Sequence, residues 1–109
     1  MKTIELNQSI AVIRDVLAKE FHPSAIFLFG SHAWGTPDAQ SDIDICVILK
    51  HSELSQADRI RQGLRALLSY HFNLDLLVFT EAEFAPRIAH PSTLAHQIAY
   101  KGIKLYEAA

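Results

Sequence analysis

Two aspartates two positions apart, Asp42 and Asp44, are the residues of this chain best suited to chemistry. They stand at the head of an apolar run, 43–49, and side chains two apart in a strand point to the same face. At ~3.3 Å per residue their backbones lie roughly 7 Å apart, and two charges at that distance repel by about 2 kcal/mol at an effective dielectric of about 20. No Lys or Arg lies between Lys19 and Lys50 to relieve this repulsion. A divalent cation would relieve it, and carboxylate oxygens suit Mg²⁺.

A glycine-serine turn precedes these aspartates. Gly30 and Ser31 end the apolar run 25–29, and Gly35 follows after the tripeptide HAW. A glycine lets the backbone approach a ligand closely, and the serine offers an N–H and an O–H donor. If a helical turn begins at Ser31, its free N–H groups also face the ligand. The pattern predicts a small phosphate-binding turn.

The regular elements that must position these residues follow from apolar spacing and capping signals. Helices are predicted over 9–21 and 56–70. A third helix is predicted to begin at the Thr80 cap and to end at His90-Pro91, and a fourth to run from a Ser92 cap to Gly102. Strands are predicted over 25–29, 43–49, 74–79 and 103–106. Capping boxes are predicted at Ser55 with Asp58 and at Thr80 with Glu83.

The apolar stripes also predict which side chains face inward. Ile60, Leu64, Leu67 and Leu68 are expected inside on the helix over 56–70, and Leu94 and Ile98 on the last helix. The arginines of the helix over 56–70 are expected on its solvated face: Arg59, Arg61 and Arg65.

The connections predict how the strands meet. A loop between the first two strands permits an antiparallel pair, and a helix between the second and third favours a parallel, right-handed crossover. Asp75, the one charge in the third strand, then lies beside Asp42 and Asp44, at the sheet edge that carries the Gly30-Ser31 turn. Three carboxylates there can hold one or two Mg²⁺ ions, an arrangement that suits phosphoryl and nucleotidyl transfer. The structural alternative is that Arg59 or Arg65 compensates Asp75.

Composition narrows the function classes. A chain of 109 residues reads as one domain, 1–109, and its net charge of −2 argues against long-range attraction to nucleic acid or anionic membrane. Its single cysteine, Cys46, excludes an intramolecular disulfide and a cysteine zinc site. We see neither a signal segment nor a membrane-spanning run, and expect a cytoplasmic protein.

The residues Gly30-Ser31, Gly35, Ser41-Asp42-x-Asp44 and Asp75 together resemble the signature of the DNA-polymerase-beta-like nucleotidyltransferase superfamily. The resemblance implies an α/β (α+β) nucleotidyltransferase fold, with a small mixed sheet and helices packed mainly on one face. It assigns phosphate binding to Gly30, Ser31 and Ser41, and catalysis and Mg²⁺ (or Mn²⁺) binding to Asp42, Asp44 and Asp75. One position departs from the family: Trp34 stands where an arginine is frequent.

The small size makes the chain look like a minimal nucleotidyltransferase, a class commonly encoded beside an all-helical HEPN partner as a toxin–antitoxin pair. The resemblance implies transfer of AMP from ATP, or of another nucleoside monophosphate, to a hydroxyl of that partner protein. The alternatives are an antitoxin that neutralises its partner by binding alone and, less favoured, a nucleotidyltransferase that modifies small molecules.

The sheet face beyond the carboxylates, which carries Ile48, Leu77 and Phe79, is apolar. Such a patch usually marks a binding surface. It therefore implies a partner chain, a homo-oligomer or cover by the protein's own terminal helices.

Overall fold

The computed structural model of the protein describes residues 3–38 and 41–109. The elements follow one another in this order: α1 (Thr3–Phe21), β1 (Ala25–Phe29), α2 (Ser31–Trp34), β2 (Ile43–Leu49), α3 (Gln56–Ala66), a 3₁₀ turn (Leu68–Tyr70), β3 (Leu74–Thr80), α4 (Glu81–Ile88), α5 (Leu94–Lys101) and β4 (Ile103–Glu107). Strands β1 and β2 have the predicted bounds.

The four strands form one mixed sheet in the order β3-β2-β1-β4. Strand β1 is antiparallel to both β2 and β4, whereas β2 and β3 are parallel. The loop and helix connections therefore produce the predicted pairings, and the mixed α/β fold is confirmed. Because β2 and β3 run in the same direction, their first residues lie at the same edge of the sheet.

Helices cover both faces of this sheet, and the side chains of β1 alternate between them. Ile26 and Leu28 belong to a core packed beneath α1 and α3, to which Ile13 and Leu17 of α1 contribute fully buried side chains. The opposite face of β1 packs against α4 and α5 in a second core. Helices α1 and α3 thus pack on one face of the sheet, and α4 and α5 cover the other.

The apolar continuation of the carboxylate face is part of that second core. Ile48 is 5% exposed, and Leu77 and Phe79 pack against the same cluster. The rings of Phe79 and Phe84 of α4 have centroids 5.7 Å apart. Of the occupants expected for this patch, the protein's own terminal helices are therefore the ones found, because α4 and α5 fold back over it.

The inward face of α3 differs from the prediction. Leu67 is 4% exposed and Ile60 is partly buried, as expected, but Leu64 and Leu68 are 41% and 72% exposed. The buried stripe of α3 runs instead through Arg59 and Gly63 to Leu67, which leaves Leu64 to one side, and Leu68 belongs to the 3₁₀ turn that follows the end of the α-helix at Ala66. The predicted continuous helix over 56–70 is therefore wrong in its last turn.

Arg59 was expected in solvent and is instead 4% exposed. Its Nε donates to the Leu54 carbonyl at 3.0 Å, and its Nη1 donates to Glu83 Oε1 at 2.6 Å. Hydrogen bonds from the Arg59 guanidinium, and then from the Thr80 backbone N–H, lower the pKa of Glu83 to about 2. Arg59 thus fastens α3 to the start of α4. Within residues 3–38 and 41–109, no arginine forms an ion pair with Asp75.

The capping signals were largely correct. Thr80 and Glu83 form both halves of the predicted capping box, and the Ser55 side chain accepts from the Asp58 N–H. The last helix is capped by Thr93 rather than Ser92, because the Thr93 side chain accepts from the His96 N–H.

Two further boundaries and one orientation differ from the prediction. Helix α1 begins at Thr3 rather than at residue 9, and α4 ends at Ile88. Leu94, expected inside, is 46% exposed, whereas Ile98 is fully buried. No helix in the described part of the chain is long and apolar enough to cross a membrane.

Candidate functional site

The structure places Asp44 and Asp75 side by side. Asp44 is paired in register with Asp75 on the parallel neighbour β3 and with Phe29 on the antiparallel neighbour β1. Adjacent strands are about 4.8 Å apart, so the two carboxyl groups emerge from one face as direct neighbours. This juxtaposition results from the parallel crossover through α3, since the two residues are 31 positions apart in the sequence.

Asp44 is the electrostatic centre of this arrangement. Its side chain is partly buried, and burial, together with the charge and a hydrogen bond of Asp75, raises its pKa to about 6. The charge of Asp42 adds to the shift, and His32 opposes it. A carboxyl group held next to another in this way binds a proton or a cation more readily than an isolated one does.

Gly30 forms the floor beneath Asp44. Its φ is +73°, and a Cβ built on it would lie 2.0 Å from Asp44 Oδ2. Only glycine fits, because a side chain at this φ is strained and would displace the carboxylate. The Gly30 carbonyl accepts from the N–H groups of Ala33 and Trp34 at 2.9 and 3.0 Å, so the chain turns into α2 at this point. The predicted turn and the predicted carboxylate are thus in direct contact.

The remaining candidates lie around this pair. Ser31 is the first residue of α2 and is partly buried, and Asp42 is exposed, one residue before β2. The hydroxyl of Ser41 accepts from the Asp38 N–H at 3.0 Å and donates to Asp38 Oδ1 at 3.3 Å. The Ser41 hydroxyl is therefore bonded to Asp38 in this structure, and donating its O–H to a phosphate requires the bond to Asp38 Oδ1 to break.

The carboxylates of this site are also candidate ligands for a metal ion. In the described ranges, no group of three or more His, Cys, Asp or Glu side chains is arranged to hold a metal ion. The pair Asp44 and Asp75 nevertheless has the chemistry that a divalent cation requires: oxygen donors whose mutual repulsion a cation would remove. A nucleotide's phosphate oxygens would supply further ligands. The residues present therefore fit a cation that arrives together with its nucleotide.

Two aromatic or imidazole side chains of the turn complete the surroundings. Trp34 is 37% exposed, and its ring centroid lies 6.4 Å from that of Phe29. It packs on the end of strand β1. His32, to which the sequence analysis assigned no role, is partly buried, and its Nε2 lies 3.2 Å from the Ser41 carbonyl oxygen. Its position between the two glycines is the signal that could have found it.

Comparison with known proteins relates this site to a family. Residues 11–109 match the family described as polymerase beta, nucleotidyltransferase. No curated protein matches the chain in sequence.

Three solved structures resemble the fold. A candidate nucleotidyltransferase from Sulfolobus solfataricus is 23% identical with a TM-score of 0.69, the alignment covering 95% of this chain and 82% of that one. A toxin-antitoxin with AMP-PNP is 24% identical with a TM-score of 0.61, and the alignment covers 88% of this chain and 71% of that one.

The third is the toxin-antitoxin MntA-HpeT in a variant with two aspartates, two positions apart, replaced by glutamate. It is 24% identical with a TM-score of 0.55, covering 94% of this chain and 73% of that one. At these identities the likeness shows a shared fold.

Proposed function

Because the chain belongs to the polymerase beta nucleotidyltransferase family, we propose that it transfers a nucleoside monophosphate from a nucleoside triphosphate to a hydroxyl group. The observation that carries this proposal is the contact between the Gly30 turn and the paired carboxylates of Asp44 and Asp75. A phosphate-binding turn and a cation-binding pair at one sheet edge are the two parts that nucleotidyl transfer requires, since the reaction depends on positioning and charge neutralisation.

Each residue has a task in this reaction. Gly30 and Ser31 bind the terminal phosphates, and Asp42, Asp44 and Asp75 hold Mg²⁺ or Mn²⁺. When bound, the cation neutralises phosphate charge and stabilises the attacking and leaving oxygens. The acceptor oxygen forms a bond to the α-phosphorus, the bond from that phosphorus to the bridging oxygen breaks, and pyrophosphate leaves. Asp75, on the edge strand β3, takes the hydroxyl proton.

We further propose that the nucleotide is ATP and that the acceptor is a tyrosine, serine or threonine hydroxyl of a HEPN-type helical partner. The fold shared with a toxin-antitoxin bearing AMP-PNP supports this choice. So does the MntA-HpeT variant, because its two altered aspartates have the spacing of Asp42 and Asp44. In this proposal the single domain, 1–109, is a cytoplasmic antitoxin, and the partner presents the acceptor.

A binding-only antitoxin is the second candidate. It is favoured by Trp34, which stands where the family frequently has an arginine and packs on Phe29. Replacing a phosphate-facing cation with an indole weakens charge neutralisation of the triphosphate. In that case the protein silences its partner without nucleotide chemistry.

The deciding experiment incubates the protein with Mg²⁺, ATP and the product of the neighbouring gene. We expect the partner's mass to increase by one or more AMP groups and its toxicity to fall only when ATP is present. Asp44→Asn should abolish the increase while the two proteins still associate. The matched control is Asp58→Asn, an exposed carboxylate on α3, which should transfer AMP normally. Silencing of the partner without any mass change would replace transfer by the binding-only function.

A further inference from the structure

One ring nitrogen of His32 is buried without a hydrogen-bond partner among the residues that the structure describes: Nδ1. The other nitrogen, Nε2, lies 3.2 Å from the main-chain oxygen of Ser41. Since a carbonyl oxygen can only accept, Nε2 carries the hydrogen and donates it. In the neutral ring Nδ1 then presents a lone pair. A buried acceptor with no donor is unfavourable and rare, so its presence beside a candidate site points to a ligand.

The His32 ring lies between the two parts of the candidate site. His32 follows the phosphate-binding turn Gly30-Ser31 directly, and Ser41 directly precedes Asp42. The Nε2 bond therefore ties the turn to the segment that leads into the carboxylates. The ring is also close enough to Asp44 that a positive charge on it would lower the pKa of that carboxyl group. His32 thus bonds to the segment that leads into the carboxylates and acts electrostatically on Asp44.

We propose that His32 positions the nucleotide, with a separate task for each ring nitrogen. Nε2–H holds the Ser41 carbonyl and so fixes the turn relative to the aspartates. Nδ1 accepts a hydrogen bond from an O–H donor of the bound nucleotide complex. For the neutral ring a phosphate oxygen is excluded as this partner, because two acceptors repel. The donor is therefore a sugar hydroxyl or a water held with the nucleotide. This inference rests on the proposed function.

Two substitutions separate the two tasks. In His32→Gln, the amide nitrogen takes the place of Nε2 and can still donate to Ser41, but nothing replaces the Nδ1 lone pair. In His32→Ala, both interactions are lost. His51→Gln is the matched control, since His51 is exposed and lies outside the site. Without nucleotide, we expect His32→Gln to have the melting temperature of the wild-type protein and His32→Ala to have a lower one. Equal melting of all three would overturn the task assigned to Nε2.

Calorimetric titration at about pH 8, where an ordinary histidine is neutral, tests the task of Nδ1. With Mg²⁺ and ATP, we expect His32→Gln to raise Kd about fivefold to tenfold, the loss of one hydrogen bond, and His51→Gln to leave it unchanged. Titrations with 2′-deoxy-ATP, 3′-deoxy-ATP and inorganic triphosphate then identify the donor. If a sugar hydroxyl donates, the difference between wild type and variant vanishes with the matching deoxy nucleotide. If water donates, the difference persists in every titration.

The failures of the two proposals are distinguishable. If the wild-type protein binds ATP and His32→Gln binds it equally well, the Nδ1 assignment is overturned while the proposed function stands. If the wild-type protein binds no nucleotide, the proposed function fails and the Nδ1 assignment fails with it. The melting comparison then decides the Nε2 task by itself.

Discussion

Asp44→Asn should stabilise the protein in the absence of metal. Folding buries the Asp44 carboxyl beside Asp75 and raises its pKa from 3.8 to about 6. At neutral pH the folded state therefore carries a charge that the surroundings disfavour. Asparagine keeps the shape of the side chain, removes that charge, and offers an N–H group to the Asp75 carboxylate.

The pKa shift sets the size of the effect and its pH dependence. A shift of about two pKa units corresponds to about 3 kcal/mol at most, and solvent screening of a partly exposed group reduces the expectation to ~1–2 kcal/mol. Below the unfolded pKa of 3.8, Asp44 is protonated in both states and the penalty is absent. Between that value and about 6, the folded state binds more protons, so stability falls as pH rises. Asp44→Asn should lack this slope.

Thermal and urea unfolding in EDTA, from about pH 4 to about pH 8, measures both quantities. Near pH 8 the variant should melt higher by at least about 4 °C, and adding Mg²⁺ should raise the melting temperature of the wild-type protein more than that of the variant. Asp42→Asn is the control, because Asp42 is exposed and its removal should change stability by less than about 0.5 kcal/mol. If Asp44→Asn melts lower near pH 8, the carboxylate stabilises the fold and the reasoning is refuted.

Three further outcomes follow from the structure. Glu83→Gln should cost ~1–2 kcal/mol in urea unfolding, because the buried Arg59 guanidinium loses a charged partner that is itself 38% exposed to solvent. Since the pKa of Glu83 is lowered from 4.5 to about 2, the wild-type protein should also lose stability as pH falls below about 4.5, and the variant should lack this pH dependence. Gly30→Ala should lower the free energy of unfolding by at least ~1 kcal/mol, because alanine is strained at the positive φ of this position, and its side chain should displace Asp44. An unchanged melting temperature together with an unchanged Kd for ATP would contradict the close contact between Gly30 and Asp44. Trp34→Arg should raise ATP affinity by up to about tenfold through a charge-assisted hydrogen bond, and an unchanged Kd would place the triphosphate away from this turn.

Elements whose ends are set by neighbouring residues could be predicted from the sequence. Strand β1 is bounded by Pro23 and Gly30, and its limits were predicted without error. The Thr80–Glu83 capping box was likewise readable, because both partners lie within one turn of the same helix. Sterics and capping act over a few positions, so a single sequence carries this information.

The sequence also placed the candidate site in outline. Loop and helix connections have preferred strand directions, so the pairing of Asp44 with Asp75 followed from the order of the elements. It was the three-dimensional structure that revealed the close approach of Gly30 to Asp44 and the buried Nδ1 of His32. Both depend on the exact path of a loop, which apolar periodicity does not specify.

Which side chains are buried in the core depends on the packing of elements that are distant in sequence. Arg59 and Leu64 lie on the same helix, yet the arginine is buried and the leucine is 41% exposed. Arg59 is buried because Glu83, 24 positions away, supplies the carboxylate that offsets its charge. Leu64 is exposed because the buried stripe of this helix runs through Arg59 and Gly63 to Leu67, which leaves Leu64 to one side of it. Burial is settled by partners distant in sequence, and one helix considered alone contains no record of them.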